Sequence, residues 1–155
     1  MSKREGLAFE SEIKSDSRAL NHSVESLINA FEDQIHLVTD PTRGGVATVL
    51  NEIASKTNSG VELTHEKVPV EDQVAGACEL LGLDPLYVAN EGVYLIFCPD
   101  QLAEEVQENL KALGHRPAMI GKMVEEHLKQ VIMDTPMGGK RVISMLPGSQ
   151  LPRIC

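Results

Sequence analysis

Segments of helical and strand character alternate along the chain, and this alternation constrains the fold more than any other feature of the sequence. Apolar residues recur at the helical period of 3.6 residues in four segments, and short apolar runs typical of strands lie between and after them. The predicted helices span 16–31, 44–56, 71–81 and 101–113, and the predicted strands span 35–39, 61–64, 93–98, 119–124, 130–133 and 141–145. This order favours an α/β or α+β fold in layers, with a mixed sheet because no helix separates the last three strands.

Glycines and apolar stripes sharpen several of these predictions. Gly60, Gly82 and Gly114 each follow a predicted helix, and glycine commonly ends helices. The run 93–98 contains Val, Tyr, Leu, Ile and Phe in succession, which predicts a strand buried on both faces. Cys78 lies on the apolar stripe of the third predicted helix, so we expect it in the core rather than in a functional site.

Composition argues against several classes of function. At 155 residues with 42% hydrophobic residues, the chain can form one domain with its own core. Its net charge of −9 and its lack of a basic cluster argue against nonspecific binding to nucleic acid or to an anionic membrane. No apolar run approaches the roughly 20 residues of a membrane helix. The three cysteines form no CxxC pair, and this usage predicts a reducing, cytoplasmic setting.

The strongest internal motif, TDPTRGG at 39–45, lies between a predicted strand and a predicted helix. Gly44 and Gly45 allow the backbone to approach a ligand closely, Thr42 is able to cap the helix, and the N–H groups of a first helical turn attract anions. Asp40 suits Mg²⁺, which prefers one or two carboxylates together with phosphate oxygens. An ordinary strand-to-helix turn capped by Asp40 or Thr42 explains the same residue types, so both interpretations remain open here.

A second motif, Ala89-Asn90-Glu91-Gly92, precedes the apolar run that begins at Val93. The Glu91 carboxylate, beside an amide and at the edge of an apolar element, is a candidate general base. A turn built from Asn, Glu and Gly is the alternative, and residue types alone favour it.

Two further features carry weaker signals. Gly138-Gly139-Lys140 lacks the Ser or Thr and the strand-to-helix context of a nucleotide-binding P-loop, so it predicts a hairpin turn. We assign no histidine to a metal, because metal-ligand spacing is lacking among His22, His36, His65, His115 and His127.

The last residues of the chain, 146–155, show neither a helical nor a strand period. Two prolines and a glycine disfavour a packed element there, so the thiol of Cys155 is expected on a movable arm. A terminal residue without a role is the alternative. We favour a function, because an exposed free cysteine is open to oxidation and most free cysteines are buried.

Taken together, the DPTRGG motif at 40–45, the ANEG motif at 89–92 and the terminal PRIC resemble the HypE family of hydrogenase maturation proteins. The terminal tetrapeptide is the most specific of the three motifs. The resemblance covers essentially the whole chain and corresponds to the C-terminal half of that family, within the aminoimidazole ribonucleotide synthetase (PurM)-like superfamily. It implies a layered α/β domain over 1–146, with the remnant of an interdomain helix at 1–10, and a flexible tail over 147–155.

The resemblance also implies an activity for the whole protein. A carbamoyl group placed on the terminal cysteine by HypF would be dehydrated to a thiocyanate at the expense of ATP. The HypC–HypD complex would then receive the cyanide for the iron of [NiFe]-hydrogenase. ATP and Mg²⁺ would be bound mainly by the N-terminal half, and the full-length protein is expected to form a homodimer.

Only a few residues take implied roles in that activity. Cys155 would be the acceptor thiol and Glu91 the base, although Val93 stands where a lysine is common in the family. Mg²⁺ would be held by Asp40, and the nucleotide phosphates by the loop that contains Asp40, Thr42, Arg43, Gly44 and Gly45. A binding module that docks HypF or HypC–HypD without ATP turnover is one alternative. A small-molecule kinase or synthetase of the superfamily is another, and the terminal thiol argues against it.

Overall fold

The computed structural model describes residues 15–146 of the chain. Within this range the helices are α1 (Asn21–Phe31), α2 (Gly45–Thr57), α3 (Asp72–Leu81) and α4 (Ala103–Ala112). The strands are β1 (Leu37–Thr39), β2 (Gly60–Leu63), β3 (Leu95–Phe97), β4 (Gly121–Val124), β5 (Val131–Asp134) and β6 (Lys140–Val142). The predictions for 1–10 and 147–155 lie outside the described residues.

The strands form two separate sheets. β1 and β3 make an antiparallel pair, and the other four strands form a sheet in the order β4-β2-β5-β6. β2 is parallel to β5 and antiparallel to β4, which confirms the predicted mixed sheet. β4 and β5 are consecutive in the chain, yet β2 lies between them in the sheet. Both pair with a strand that is distant in sequence.

Two apolar clusters hold these layers together. The first joins α2 to the four-stranded sheet and contains Ala47, Leu50, Ala54, Val61, Leu63, Leu86, Val131, Met133 and Ile143. The second joins α1 to α4 and contains Leu27, Phe31, Val106 and Leu110. Burying one such aliphatic side chain stabilises the fold by about 1.5–3 kcal/mol. The helical periods seen in the sequence therefore mark real core faces.

Strand β3 lies between the two clusters and is less buried than its sequence predicts. Leu95 and Phe97 pack against the first cluster, whereas Ile96 packs against the second. Both faces are therefore in apolar contact, as predicted, but all three side chains are only half-buried. The strand is also shorter than the run 93–98, and Val93 is exposed.

The structure corrects two helix boundaries. α1 begins at Asn21 rather than at Asp16, which instead contacts a distant loop. α2 ends at Thr57, and Asn58, with a φ of 53°, is its left-handed C-cap in place of the predicted Gly60. Gly60 is the first residue of β2, where a Cβ atom would overlap the carbonyl oxygen of Glu126.

Other local predictions are confirmed. Gly82 ends α3 with a φ of 64°. The segment between β5 and β6 is a hairpin turn in which the amide of Thr135 donates to the carbonyl of Gly139 at 2.8 Å. Cys78 is buried in the core. No helix within residues 15–146 is both long enough and apolar enough to cross a membrane.

Candidate functional site

A single turn of 3₁₀ helix, Pro85–Tyr87, supports the region that contains both internal motifs. The Asp84 carboxylate caps this turn by accepting a hydrogen bond from the Leu86 amide at 3.0 Å, and Pro85 begins it. Leu86 is buried in the first apolar cluster. The turn is thus fixed at its N-terminal end by the local sequence and at its centre by the core.

The loop before α2 packs directly against this turn. Gly44 and Gly45 have φ angles of 65° and 68°, which disfavour other residues. A Cβ atom at Gly45 would overlap the carbonyl oxygen of Leu86 and lie 2.7 Å from that of Val88. Gly45 is buried, so the close approach that the sequence suggested for a ligand is made to the protein's own backbone.

The predicted capping role of Thr42 is wrong. Its hydroxyl donates to the Asp40 carboxylate at 3.0 Å, and the N-cap position of α2 is taken by Gly44 without a side-chain hydrogen bond. The reason is that two residues with positive φ turn the chain between Thr42 and the helix. The charged side chains of the loop, Asp40 and Arg43, are both exposed.

The structure brings the two internal motifs into contact. The Asn90 amide donates to the carbonyl of Pro41 at 3.1 Å, and the Asn90 side chain donates to the carbonyl of Val88 at 2.8 Å. Pro41 is fully buried. Motifs separated by about fifty residues in the chain are therefore parts of one loop cluster, which carries both Asp40 and Glu91.

A third segment, which belongs to neither motif, binds the second motif through its backbone. The Asp16 carboxylate accepts hydrogen bonds from the amides of Glu91 at 2.9 Å and Gly92 at 3.3 Å. The Arg18 side chain donates to the carbonyl of Gly92 at 3.0 Å. A Cβ atom at Gly92 would overlap the carbonyl oxygen of Asp16. The absence of a side chain at Gly92 lets the backbone of Asp16 approach closely, and the Asp16 carboxylate then binds the amides of Glu91 and Gly92. These contacts together fix the backbone of Glu91.

The other thiols in the described part of the chain are poorly suited to act as nucleophiles. Cys78 is buried and Cys98 is half-buried. Burial is the main cause that raises the pKa of each thiol above its ordinary value, and a nearby carboxylate adds to the effect in both cases. A raised pKa reduces the thiolate fraction at neutral pH.

A charged cluster centred on Glu62 lies on the four-stranded sheet, apart from the loop cluster. The Glu62 carboxylate contacts the amines of Lys140 at 3.0 Å and Lys122 at 3.8 Å, and the His127 ring at 3.9 Å. The hydrogen bond from Lys140 is the largest cause that lowers the pKa of Glu62. A cavity of about 280 Å³ opens beside it, and its lining includes no residue of 39–45 or 89–92.

Metal binding by the loop cluster rests on Asp40 alone. Among residues 15–146, no group of three or more His, Cys, Asp or Glu side chains is placed to hold a metal ion. A single exposed carboxylate fits a shared Mg²⁺ site, because Mg²⁺ keeps several waters and takes phosphate oxygens as further ligands. The assignment of Mg²⁺ to Asp40 stays a prediction.

Residues 1–134 match the family model described as AIR synthase related protein, C-terminal domain, and the chain belongs to this family. Within it, the Azotobacter vinelandii protein named carbamoyl dehydratase HypE is 46% identical over 100% of this chain and 46% of its own length. The resemblance to HypE proteins is thus confirmed. The chain spans about half the length of the curated relatives it matches.

Solved structures agree with this assignment. A crystal structure of hydrogenase maturation protein HypE in complex with ATP has a TM-score of 0.91 and 42% identity, covering 99% of this chain and 48% of that one. A HypE–HypF complex has a TM-score of 0.84 and 36% identity, covering 92% of this chain and 47% of that one. The PurM-like α/β fold expected from the sequence is confirmed.

Proposed function

We propose that this chain provides the C-terminal part of an ATP-dependent carbamoyl dehydratase for [NiFe]-hydrogenase maturation. The observation that carries the proposal is the contact between the 40–45 and 89–92 loops, in a chain that ends in Cys155. Two relatives that are 46% and 48% identical to this chain are named carbamoyl dehydratases. A carboxylate for Mg²⁺, a carboxylate base and an acceptor thiol are the groups such a reaction requires.

The reaction would proceed in two stages at Cys155. The thiol first receives a carbamoyl group, with HypF as the donor. Phosphorylation of the carbamoyl oxygen then makes that oxygen part of a leaving group. Loss of phosphate and of the two nitrogen protons converts the S-carbamoyl group into a thiocyanate, while ATP becomes ADP and phosphate. The cyano group would pass on to the HypC–HypD complex, which would use it as a ligand for iron.

Glu91 would act as the base that accepts protons from the carbamoyl nitrogen. Asp16 holds its amide and the amide of Gly92, and Asn90 ties the same loop to Pro41. A fixed backbone limits the positions that the carboxylate can take, and a positioned base contributes about 10²–10⁴-fold to a proton transfer. The exposed Val93 beside it supplies no charge, so Glu91 would act without an adjacent lysine partner at that position.

Asp40 and Arg43 would face the nucleotide phosphates. Both side chains are exposed on the 40–45 loop, and Asp40 already accepts a hydrogen bond from Thr42 that orients it. Mg²⁺ bound there would neutralise phosphate charge, and the Arg43 guanidinium would pair with a phosphate oxygen. Gly44 and Gly45 would serve this loop indirectly, because both adopt a positive φ and Gly45 allows the loop to pack on the 84–88 turn.

Mass spectrometry of the intact chain tests the first stage. Incubation with HypF, carbamoyl phosphate and ATP is expected to add the mass of one carbamoyl group to Cys155. C155S removes the acceptor at nearly constant size, whereas C78S and C98S are controls that should be modified like the unaltered chain. A chain that is never modified under these conditions would contradict the proposal.

Calorimetry with Mg-ATP separates the enzyme part from a pure binding module. The proposal expects tight ATP binding only when the chain is joined to the N-terminal half of a relative such as the Azotobacter vinelandii protein, and expects D40N to weaken it. A binding module would acquire no ATP affinity in either form. If D40N left the ATP affinity unchanged, the assignment of Asp40 to the nucleotide site would be wrong.

A further inference from the structure

Side chains from two other elements bind the backbone of the segment that follows β6, at Ile143 and Ser144. The amide of Ile143 donates to the carbonyl of Val131 at 2.8 Å, and the Asn51 side chain donates to the carbonyl of Ile143 at 2.8 Å. The Tyr87 hydroxyl donates to the carbonyl of Ser144 at 2.8 Å. Two successive carbonyl groups are therefore each bound by a side chain from a different element.

This attachment is confined to a short stretch of the chain. Ile143 is 1% exposed, whereas Val142 before it and Met145 after it are 56% and 51% exposed. β6 itself is an edge strand that ends at Val142. The hydrogen bonds from Asn51 and Tyr87 thus lie where strand pairing has stopped, and they do not extend the sheet.

The attachment uses the same turn that supports the two site loops. Asp84, which caps the turn, also forms a salt bridge with Arg141 of β6 at 2.8 Å. Burial is the main cause that raises the pKa of the Tyr87 hydroxyl, and the Asp84 carboxylate adds to it. Tyr87 is therefore a protonated donor at neutral pH. Gly45 packs on the backbone of this turn, the Asn90 side chain donates to the carbonyl of Val88 that follows it, and the Tyr87 hydroxyl donates to Ser144.

The number of residues between Ser144 and Cys155 limits how far the thiol can reach from this attachment. Eleven residues follow Ser144 to the terminal Cys155, so an extended arm reaches at most about 36–40 Å from the attachment. Glu91 follows Tyr87 by four residues, or at most about 14 Å of chain. The terminal thiol can consequently reach the Glu91 loop and can also extend well beyond it.

We propose that Tyr87 and Asn51 are positioning residues that anchor the C-terminal arm beside the Glu91 loop. The inference rests on the proposed function, since it concerns how Cys155 is delivered to the base. A fixed origin near the target raises the effective concentration of a tethered group, and this favours the intramolecular step. Transfer of the carbamoyl group from HypF is a step between two molecules. Its rate should therefore not depend on where the C-terminal arm is anchored.

The test compares Y87F with Y94F in the chain joined to the N-terminal half of the Azotobacter vinelandii relative. Both variants remove one tyrosine hydroxyl; the Tyr87 hydroxyl donates to Ser144, whereas the buried Tyr94 hydroxyl has no hydrogen-bond partner among residues 15–146. We expect Y87F to slow ATP-dependent dehydration of carbamoylated Cys155 about three- to tenfold, with carbamoylation by HypF unchanged. Y94F should leave both rates unchanged. A Y87F protein that dehydrates at the unaltered rate would overturn the inference.

A distance measurement tests the anchor without any activity. Spin labels at Cys155 and at an exposed site on α4, in a C78S/C98S background, report the distribution of distances by pulsed EPR. Y87F combined with N51A is expected to broaden this distribution relative to Y94F, and identical distributions would contradict the anchor. Absence of carbamoylation in every form would instead contradict the proposed function, and the EPR result would still decide the anchor.

Discussion

The loop cluster and the charged cluster on the sheet face are built in opposite ways. The loop cluster is held by backbone amides and carbonyls and by close backbone packing at Gly45 and Gly92. The charged cluster is held by side-chain ion pairs around Glu62, and its amines are largely exposed. Backbone contacts of the first kind tolerate few substitutions, whereas ion pairs of the second kind are screened by salt and contribute little. The two regions should therefore differ strongly in their response to mutation.

The largest effect is expected for G45A. Its Cβ atom would overlap the carbonyl oxygen of Leu86, and its φ of 68° disfavours alanine. We expect a loss of about 2–4 kcal/mol in the free energy of unfolding, measured by urea denaturation. The matched control is G76A in α3, where no atom lies within 4 Å of the added carbon. That control should be neutral or should stabilise the chain by up to about 1 kcal/mol, and equal losses in both variants would contradict the packing of the 40–45 loop.

An intermediate effect is expected for D16A, which removes the acceptor for two amides. Because this carboxylate is exposed, the loss in global stability should be about 1 kcal/mol. The local effect should be clearer: amide hydrogen exchange at Glu91 and Gly92 is expected to accelerate, while exchange in β5 is not. D16N keeps one acceptor oxygen and should restore part of the protection. Unchanged exchange at both amides in D16A would show that these hydrogen bonds are not formed.

The smallest effect is expected for E62Q on the sheet face. The pKa of Glu62 is lowered from its ordinary value of 4.5, chiefly by the Lys140 hydrogen bond. A carboxyl with a lowered folded pKa stabilises the fold above its unfolded pKa, and this contribution is lost as the pH falls through the folded pKa. The melting temperatures of E62Q and the unaltered chain should thus differ slightly at pH 7 and converge at lower pH or at ~1 M salt. A difference in melting temperature that grows as the pH falls would contradict a lowered pKa for Glu62.

Local sequence signals predicted the elements better than the site. Apolar periods locate the four α-helices found within residues 15–146, and Gly82 marks a true helix end, because these features depend on neighbouring residues. The sequence marks Gly44 and Gly45 as unusual and predicts a ligand beside them, but Gly45 packs on the carbonyls of the 84–88 turn and Gly44 on the side chain of Thr48. Sequence shows that a position needs glycine, and only the fold shows which atoms require it.

The residues that the sequence did not reveal act across long separations. Asp16 contacts a loop 75 residues away, and Asn51 contacts a carbonyl 92 residues away. Neither residue belongs to a motif, and Asp16 fell within a predicted helix. Their roles arise from tertiary contacts: the segment before α1 packs on the Glu91 loop, and α2 packs on the segment after β6. The resemblance to a family implies the roles of Glu91 and Cys155, which stay predictions.

The central claim is that the Glu91 loop acts on the group carried by Cys155. It is tested most directly by a single-turnover measurement with E91Q, again with the N-terminal half of the relative attached. Carbamoylated protein is mixed with Mg-ATP, and the conversion of the S-carbamoyl group into thiocyanate is followed by mass spectrometry. We expect E91Q to be carbamoylated by HypF normally but to dehydrate at least about 100-fold more slowly. Dehydration by E91Q at the unaltered rate would contradict the account.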